Sequence, residues 1–222
     1  MRRGRSLVTL VLLASACVAP STLQSTRPLG QGVHRWLVVP AVQETLSTAG
    51  GTLVPALDVA LQYGWNEHVD AEVSLGAAGL GLRVKRALPV PRGLDARLAF
   101  APKLSGAALW LAGSRNAFVA LEAPLLIGFD LGQGGEVVLA GKLVDAVLFD
   151  NRLTTRRASN VLGAGGSVGL LWWTGASWGV FPEVSLLVPL TEARYAAGAG
   201  GGDFGYRYTR VMAQLALGVV SR

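Results

Sequence analysis

The chain has 222 residues, of which 51% are hydrophobic and only 15% are charged, whereas an average soluble domain carries about 25% charged residues. This composition excludes a disordered chain, and its 29 glycines argue against an α-helical protein, because glycine costs about 1 kcal/mol in a helix interior. The net charge is +6, but setting aside Arg2, Arg3 and Arg5 of the N-terminal leader leaves 17 basic against 14 acidic residues, and no Lys/Arg run longer than two follows to bind nucleic acid.

Residues 1–16 are predicted to form a Sec-type signal peptide. Three arginines precede a short apolar run, and the small residues at 14–16 provide a cleavage site of the A-x-A type. The apolar run is shorter than the roughly 20 residues of a transmembrane helix. Cys17, which is the only cysteine of the chain, follows directly after the cleavage site.

The sequence around Cys17 resembles the lipobox of bacterial lipoproteins, although Ala14 stands where leucine is usual. The resemblance implies that Cys17 carries a diacylglycerol thioether and is the mature N-terminus. Val18 stands in place of the Asp that retains lipoproteins at the inner membrane, which implies the outer membrane. Ordinary signal-peptidase cleavage after Ala16, which leaves a free thiol, is the alternative.

The remainder divides into a predicted flexible tether over 17–33, rich in Ser, Thr, Pro and Gly, and one β-barrel domain over 34–222. In 69–75, apolar side chains occupy the odd positions and mostly polar ones the even positions, which is the period of a half-buried strand. Clean alternation predicts strands over 53–63, 69–75, 80–85, 94–103 and 119–130, and weaker alternation adds 34–44, 136–149, 161–173, 178–190 and 206–219.

The connections between these segments alternate in length. Every second connection, beginning with 64–68, has four to eight residues, whereas the others are mostly longer and reach fifteen residues in 191–205. Outer-membrane barrels have short periplasmic turns and longer extracellular loops, so this sorting favours a membrane barrel over a soluble sandwich. Only 76–79 breaks the pattern.

Aromatic residues cluster beside the short connections. Amphipathic rings at this level are typical of the girdle that marks a membrane interface, and aromatic plugs at the end of a soluble barrel are the alternative. The predicted girdle consists of Tyr63, Trp65, Phe129, Trp172 and Trp178.

Charged residues of the polar parity are predicted to form a ladder that lines the interior. The first hairpin sets Asp70 opposite Lys85, and in the same way it sets Glu72 opposite Arg83. Opposite charges across a strand pair attract, whereas unpaired charges facing lipid cost several kcal/mol. The polar parity therefore faces a lumen that is cross-linked and mostly closed.

The second hairpin, centred on 89–93, is predicted to extend the ladder by placing Lys85 opposite Arg97 and diagonal to Asp95. Because Lys85 and Arg97 carry like charges and face each other, this hairpin is less well matched than the first. The same lumen face is predicted to include Glu122, Lys142, Glu183, Arg210 and Gln214.

Alternation, loop sorting and aromatic placement over residues 34–219 resemble those of bacterial outer-membrane β-barrel proteins. The resemblance implies an all-β fold, a closed up-and-down antiparallel transmembrane barrel of about ten strands, with eight as the alternative count. It also implies the outer membrane of a Gram-negative bacterium, with outer-membrane lipid and the barrel-assembly machinery as partners, and leaves the oligomeric state open. Such barrels usually end on an aromatic residue, whereas this chain ends on Arg222.

Catalytic chemistry has few candidates, because the chain has only two histidines, His34 and His68, and no nucleophile, zinc or phosphate-loop motif. The sequence therefore predicts a non-enzymatic, porin-like barrel without metal or cofactor, in a structural, surface-display or narrow-channel role. The alternative is a periplasmic, lipid-anchored soluble β-sandwich or barrel that binds an apolar ligand or a partner protein. An outer-membrane enzyme would need a Ser or Asp beside one of the histidines.

Overall fold

The computed structural model describes residues 22–46, 52–76, 79–111, 114–152, 155–197 and 211–221. Eleven strands account for most of these residues. They are β1 (His34–Leu46), β2 (Thr52–Gly64), β3 (Val69–Gly76), β4 (Gly79–Leu88), β5 (Arg97–Phe100), β6 (Lys103–Leu111), β7 (Ser114–Asp130), β8 (Glu136–Arg152), β9 (Thr155–Trp173), β10 (Trp178–Ala197) and β11 (Val211–Ser221). The part of the chain described contains no helix with the length and apolar character needed to cross a membrane.

The strands form a closed antiparallel barrel. Except for β5 and β6, each strand pairs with its neighbours in chain order, and β1 pairs with β11, so the sheet closes on itself in the described residues. Strands β5 and β6 both pair with β4 and β7 and therefore occupy one position in the wall, which gives ten positions in all. The predicted fold class is confirmed, with ten strands rather than eight.

The interruption between β5 and β6 falls at Ala101 and Pro102. Proline has no backbone N–H to give to a ladder, so regular pairing stops there. The gap is bridged by single hydrogen bonds, because the Val84 amide donates to the carbonyl oxygen of Pro102 at 3.1 Å and the Ala101 amide donates to that of Pro124 at 3.1 Å. The strand predicted over 94–103 therefore begins later, at Arg97, and continues after the interruption to residue 111.

The two faces of the wall have opposite character. The outer face exposes apolar side chains on every strand that has described side chains, including Leu57 and Leu82, whereas the alternating inner residues are buried. The core therefore fills the barrel lumen and contains two apolar clusters. One surrounds Leu37, Leu126 and Phe181, and the other surrounds Phe118.

The two ends of the barrel differ in their connections. The end that carries residues 65–68, 89–96, 131–135 and 174–177 also carries the start of β1 and the end of β11, and we call it the turn end. At the opposite end, called the hairpin end, the predicted long loops at 104–118 and 150–160 are wrong. Only residues 112–113 separate β6 from β7, and only 153–154 separate β8 from β9.

These hairpins extend because backbone pairing does not require apolar side chains. Residues Ser114 to Asp130 of β7 pair continuously with Arg152 to Glu136 of β8, through segments whose polarity had suggested loops. Strands β7 to β10 consequently have 17 to 20 residues, well beyond the roughly 9–11 that cross a membrane obliquely.

Candidate functional site in the lumen

Residues 22–30, which we call the plug segment, lie inside the turn-end half of the lumen. Their chain enters beside β2, where the Gly32 amide donates to the carbonyl oxygen of Gly64 at 2.9 Å and the Gly64 amide donates to that of Val33 at 2.8 Å. Gly30 and Gly32 have φ values of 87° and 77°, which suit glycine and turn the backbone inward. Residues 22–26 are all buried, so the prediction of a flexible tether over 17–33 is wrong for this stretch. Residues 17–21, including Cys17, lie outside the described residues.

Glu183 on β10 binds the inner end of the plug segment. Its Oε1 accepts a hydrogen bond from the Thr22 amide at 2.7 Å, and its Oε2 accepts one from the Leu23 amide at 2.7 Å. The Thr22 hydroxyl donates to Oε2 at 3.1 Å and lies 2.8 Å from the Ser167 hydroxyl. One carboxylate thus binds two successive backbone N–H groups and a side-chain hydroxyl.

Glu136 at the start of β8 binds the middle of the plug segment. The Ser25 hydroxyl donates to its Oε2 at 2.5 Å, and the Thr26 amide donates to its Oε1 at 3.2 Å. The Thr26 hydroxyl also donates to Oε1. Glu136 is 0% exposed and Glu183 is 2% exposed, so both carboxylates depend on hydrogen bonds within the protein.

Two wall cations bind the carbonyl groups of the plug segment. Lys85 Nζ donates to the carbonyl oxygens of Ser25 at 3.0 Å and Arg27 at 2.8 Å, and Arg83 Nη1 donates to that of Thr22 at 2.9 Å. A segment that pairs with no strand has backbone groups that need partners when buried. Lumen carboxylates supply acceptors for its N–H groups, and lumen cations supply donors for its carbonyls.

The same cations pair with carboxylates across the wall. Lys85 Nζ lies 2.7 Å from Asp70 Oδ2, and Arg83 Nη1 lies 3.5 Å from Glu72 Oε1, between residues that face each other on β3 and β4. The plug segment joins this network, because the Gln24 side chain donates to Glu72 and the Leu29 amide donates to Asp70 Oδ1 at 3.0 Å.

A further ion pair links β7 and β8, where Lys142 Nζ lies 3.2 Å from Glu122 Oε2. Both side chains are 1% exposed. Gln214 and Glu183 also lie on the buried face, while Arg210 lies outside the described residues.

The predicted register of the second hairpin is wrong. Leu88 pairs with Leu98 and Ala87 with Ala99, so Lys85 is not opposite Arg97. Prolines at 89 and 91 remove backbone donors, which leaves 89–96 unpaired and the exposed Asp95 in the connection.

Arg97 lies at the rim of the turn end and not in the interior ladder. Its Nη2 lies 2.7 Å from Asp130 Oδ2, and Arg27 Nη2 of the plug segment lies 2.9 Å from Asp130 Oδ1. The side chains of Arg97 and Asp130 are 36% and 49% exposed. The rim therefore carries a solvent-exposed cluster of charges, whereas the sequence predicts Arg97 in the interior ladder.

Aromatic side chains surround the turn end on the outer face. Trp36 belongs to this set but is not predicted from the sequence. The alternation in β1 is too weak to show which face Trp36 occupies. Trp173 points inward, with the Arg35 guanidinium carbon 5.3 Å from its ring centroid. The exposed set consists of Trp36, Tyr63, Trp65, Phe129, Trp172 and Trp178.

Both histidines lie at the turn end of the barrel. His34 begins β1, and His68 is exposed in the connection after β2, where its carbonyl oxygen accepts the Ala87 amide at 2.8 Å. No group of three or more His, Cys, Asp or Glu residues in this part of the chain could hold a metal ion.

The plug segment fits closely against the wall. A cavity beside it, lined by Leu23, Ser25, Leu171 and Phe181 among others, measures about 10 Å³, which is at the lower limit for one water molecule. The arrangement can hold an extended, hydroxyl-bearing peptide by its backbone. The contacts of the plug segment with Arg83 on β4, Glu136 on β8 and Glu183 on β10 place it across this level of the lumen.

Comparison with known proteins gives structural likenesses only. No protein-family model and no curated protein sequence matches the chain. Neisserial surface protein A covers 85% of this chain and 96% of its own, with 11% identity and a TM-score of 0.45. An outer membrane channel from Pseudomonas putida F1 covers 89% and 97%, with 12% identity and a TM-score of 0.43. The outer membrane protease OmpT from Escherichia coli covers 90% and 98%, with 8% identity and a TM-score of 0.40. These values are too low to assign a function.

Proposed function

We propose that the protein is a non-enzymatic outer-membrane β-barrel of a Gram-negative bacterium. The observation that carries the proposal is the inverted polarity of the wall. Leucine and valine side chains such as Leu57, Leu82 and Val184 are more than half exposed, whereas Glu122 and Lys142 are buried. A soluble β-sandwich or barrel would bury the first group and expose the second, and soluble monomers rarely expose apolar patches beyond a few hundred Å².

The height of the apolar outer face supports a bilayer as its partner. On β9 this face runs from Trp172 to Leu162, and the polar Asn160 follows, with its side-chain amide donating to Asp145 on β8 at 2.7 Å. The ten residue steps from Leu162 to Trp172, each with a rise of about 3.3 Å and tilted by about 40°, span roughly 25 Å along the barrel axis. That height equals the apolar band of outer-membrane barrels, which is about 25 Å.

The aromatic set at the turn end supports an orientation. In the proposed arrangement Tyr63, Trp65, Phe129, Trp172 and Trp178 form the girdle at the periplasmic interface, together with Trp36. The start of β1 and the end of β11 then face the periplasm, and the hairpin end faces outward. The backbone of β9 continues for five residues past Asn160, to Thr155, which gives the hairpin end a surface above the apolar band.

The plug segment and the cross-linked lumen favour a structural or surface-display role over a constantly open pore. Heat-modifiable migration in detergent gels provides the test of the barrel itself. The refolded protein is expected to migrate as a compact form until boiled, and to become protected from trypsin when incorporated into lipid vesicles. Aqueous solubility of the folded chain without detergent would refute the proposal and favour the periplasmic soluble alternative.

Export by a Sec-type signal, with acylation of Cys17, belongs to the same proposal. The lone cysteine at the predicted cleavage site supports it. A Cys17→Ala variant is expected to lose incorporation of a radiolabelled fatty acid that the parent chain shows. Labelling that persists in the variant would remove the lipoprotein part of the proposal and leave the barrel untouched.

A further inference from the structure

We propose that the plug segment is a releasable internal ligand, with Glu136 and Glu183 as its receptor, and that the barrel without it conducts small ions. The inference rests on the proposed membrane barrel. Its first support is the way the segment is held. Residues 22–30 pair with no strand of the described wall, so their release breaks no ladder and leaves the barrel closed.

The second support is the hydrogen bonding of two buried carboxylates. The described ion pairs within 4.0 Å involve Asp70, Glu72, Glu122 and Asp130, and not Glu136 or Glu183. Lys85 attracts Glu136 and Lys142 attracts Glu183 from farther away. The plug segment supplies three hydrogen bonds to each of the two carboxylates, and buried charges need such donors.

The third support is steric. A Cβ on Gly128 would overlap the Thr26 hydroxyl, and a Cβ on Gly64 would overlap the carbonyl of Gly30. The wall thus has glycine where the plug segment passes closest. Glycine at both positions allows the close approach that a side chain would block.

The recognition is directed at the main chain and at hydroxyl groups. Because Glu183 accepts the Thr22 and Leu23 amides with separate oxygens, a glutamine at this position would present an NH₂ group to one of the two donors. The ligand class is therefore an extended peptide with Ser or Thr side chains, and the occupant is this chain's own residues 22–30.

Release leaves unmet hydrogen-bonding groups of both signs on the wall. Glu136 and Glu183 lose donors, and Lys85 and Arg83 lose the plug carbonyls that they bind. Water can replace all of these partners. The vacated half of the lumen should therefore become a water-filled passage for small ions.

The test uses a chain that lacks residues 22–30, recorded in planar bilayers under a potassium chloride gradient. The parent is expected to be silent, and the deletion variant to conduct. A synthetic peptide of residues 22–30 is expected to block the conductance from the turn end only. Conductance that the peptide does not block would overturn the receptor assignment, and a deletion variant that stays silent would overturn the conducting lumen.

A second variant retains the full chain, with Glu136→Gln and Glu183→Gln. It is expected to show openings that the parent lacks. In the deletion background the same pair should weaken peptide block by about tenfold to a hundredfold, since hydrogen bonds to charged groups are the stronger class. The matched control is Glu122→Gln, a carboxylate in the same lumen that contacts Lys142 and not the plug segment, and it is expected to remain silent.

Failure of this inference and failure of the proposed function are distinguishable. Heat-modifiable migration of each variant reports whether it forms a membrane barrel. If the parent forms none, the proposed function fails. If the parent and the glutamine variant form barrels and stay silent, the plug inference fails, because the apolar cluster around Phe118 would then close the lumen by itself.

Discussion

The buried pair Glu122–Lys142 gives the sharpest test of a low-dielectric lumen. The two charged atoms are 3.2 Å apart and both side chains are 1% exposed. At an effective dielectric constant of about 20, their attraction is about 5 kcal/mol, and removing one partner from a buried pair costs about 3–5 kcal/mol because the other charge remains. We therefore expect Glu122→Gln and Lys142→Met each to lower the free energy of unfolding by about that amount, and the double variant to cost less than the sum.

The measurement is urea unfolding in detergent micelles, followed by tryptophan fluorescence, as a double-mutant cycle at low and high salt. The expected coupling is about 2–3 kcal/mol and insensitive to salt, within the range for contacting residues. The matched control is Arg97–Asp130 at the rim, with atoms 2.7 Å apart but side chains 36% and 49% exposed. Its coupling should be at most about 1 kcal/mol and should fall with salt. A coupling energy for Glu122–Lys142 no larger than that of the rim pair would refute a low-dielectric lumen.

Two further substitutions test the outer face and the packing of the lumen. Leu82→Arg, in the apolar band, should hinder folding into lipid vesicles at a cost of about 2–4 kcal/mol, whereas Leu131→Arg at the turn end should be tolerated; equal tolerance would contradict the membrane band. Gly169→Ala should lower the free energy of unfolding by about 1–3 kcal/mol, because the new methyl group would overlap the ring of Phe181. Gly141→Ala, where a methyl group meets nothing within 4 Å, should change it by less than about 0.5 kcal/mol; similar losses in both variants would show that packing against Phe181 is not the cause.

The sequence predicts the strands and their sidedness because a period of two leaves each side chain only one of two faces. The register of the first hairpin also follows, since the two residues at 77–78 leave little freedom and opposite charges match across it. The register of the second hairpin fails because the connection contains two prolines and lies at 89–96, three residues later than the predicted strands 80–85 and 94–103 imply. The loop lengths at the hairpin end are mispredicted for a related reason. Backbone pairing that continues into water needs no apolar alternation, so the sequence does not show that these strands extend.

The plug segment is the largest element that the sequence does not reveal. A stretch rich in Ser, Thr and Gln has the composition of a linker, and its receptor residues Glu136 and Glu183 lie 110 to 161 residues away along the chain. One signal was nevertheless present. Both glutamates occupy the inward parity without an opposite charge facing them across a strand pair, and Leu171 and Ala216 are among their neighbours. An inward-facing carboxylate without an opposite charge across the strand pair indicates that another part of the chain donates hydrogen bonds to it.

The position of the plug segment in the chain has a consequence for the order of assembly. The segment leads directly into β1, and β1 is the strand that must meet β11 for the barrel to close. Its binding partners on β4, β8 and β10 are all synthesised later, so the receptor is complete only when nearly the whole wall exists. A sheet that curls around the docked segment can close its seam in register, whereas a barrel that closes empty must admit nine residues through the turn end afterwards. The order of plug docking and seam closure therefore decides whether a newly assembled barrel contains the plug segment from the start.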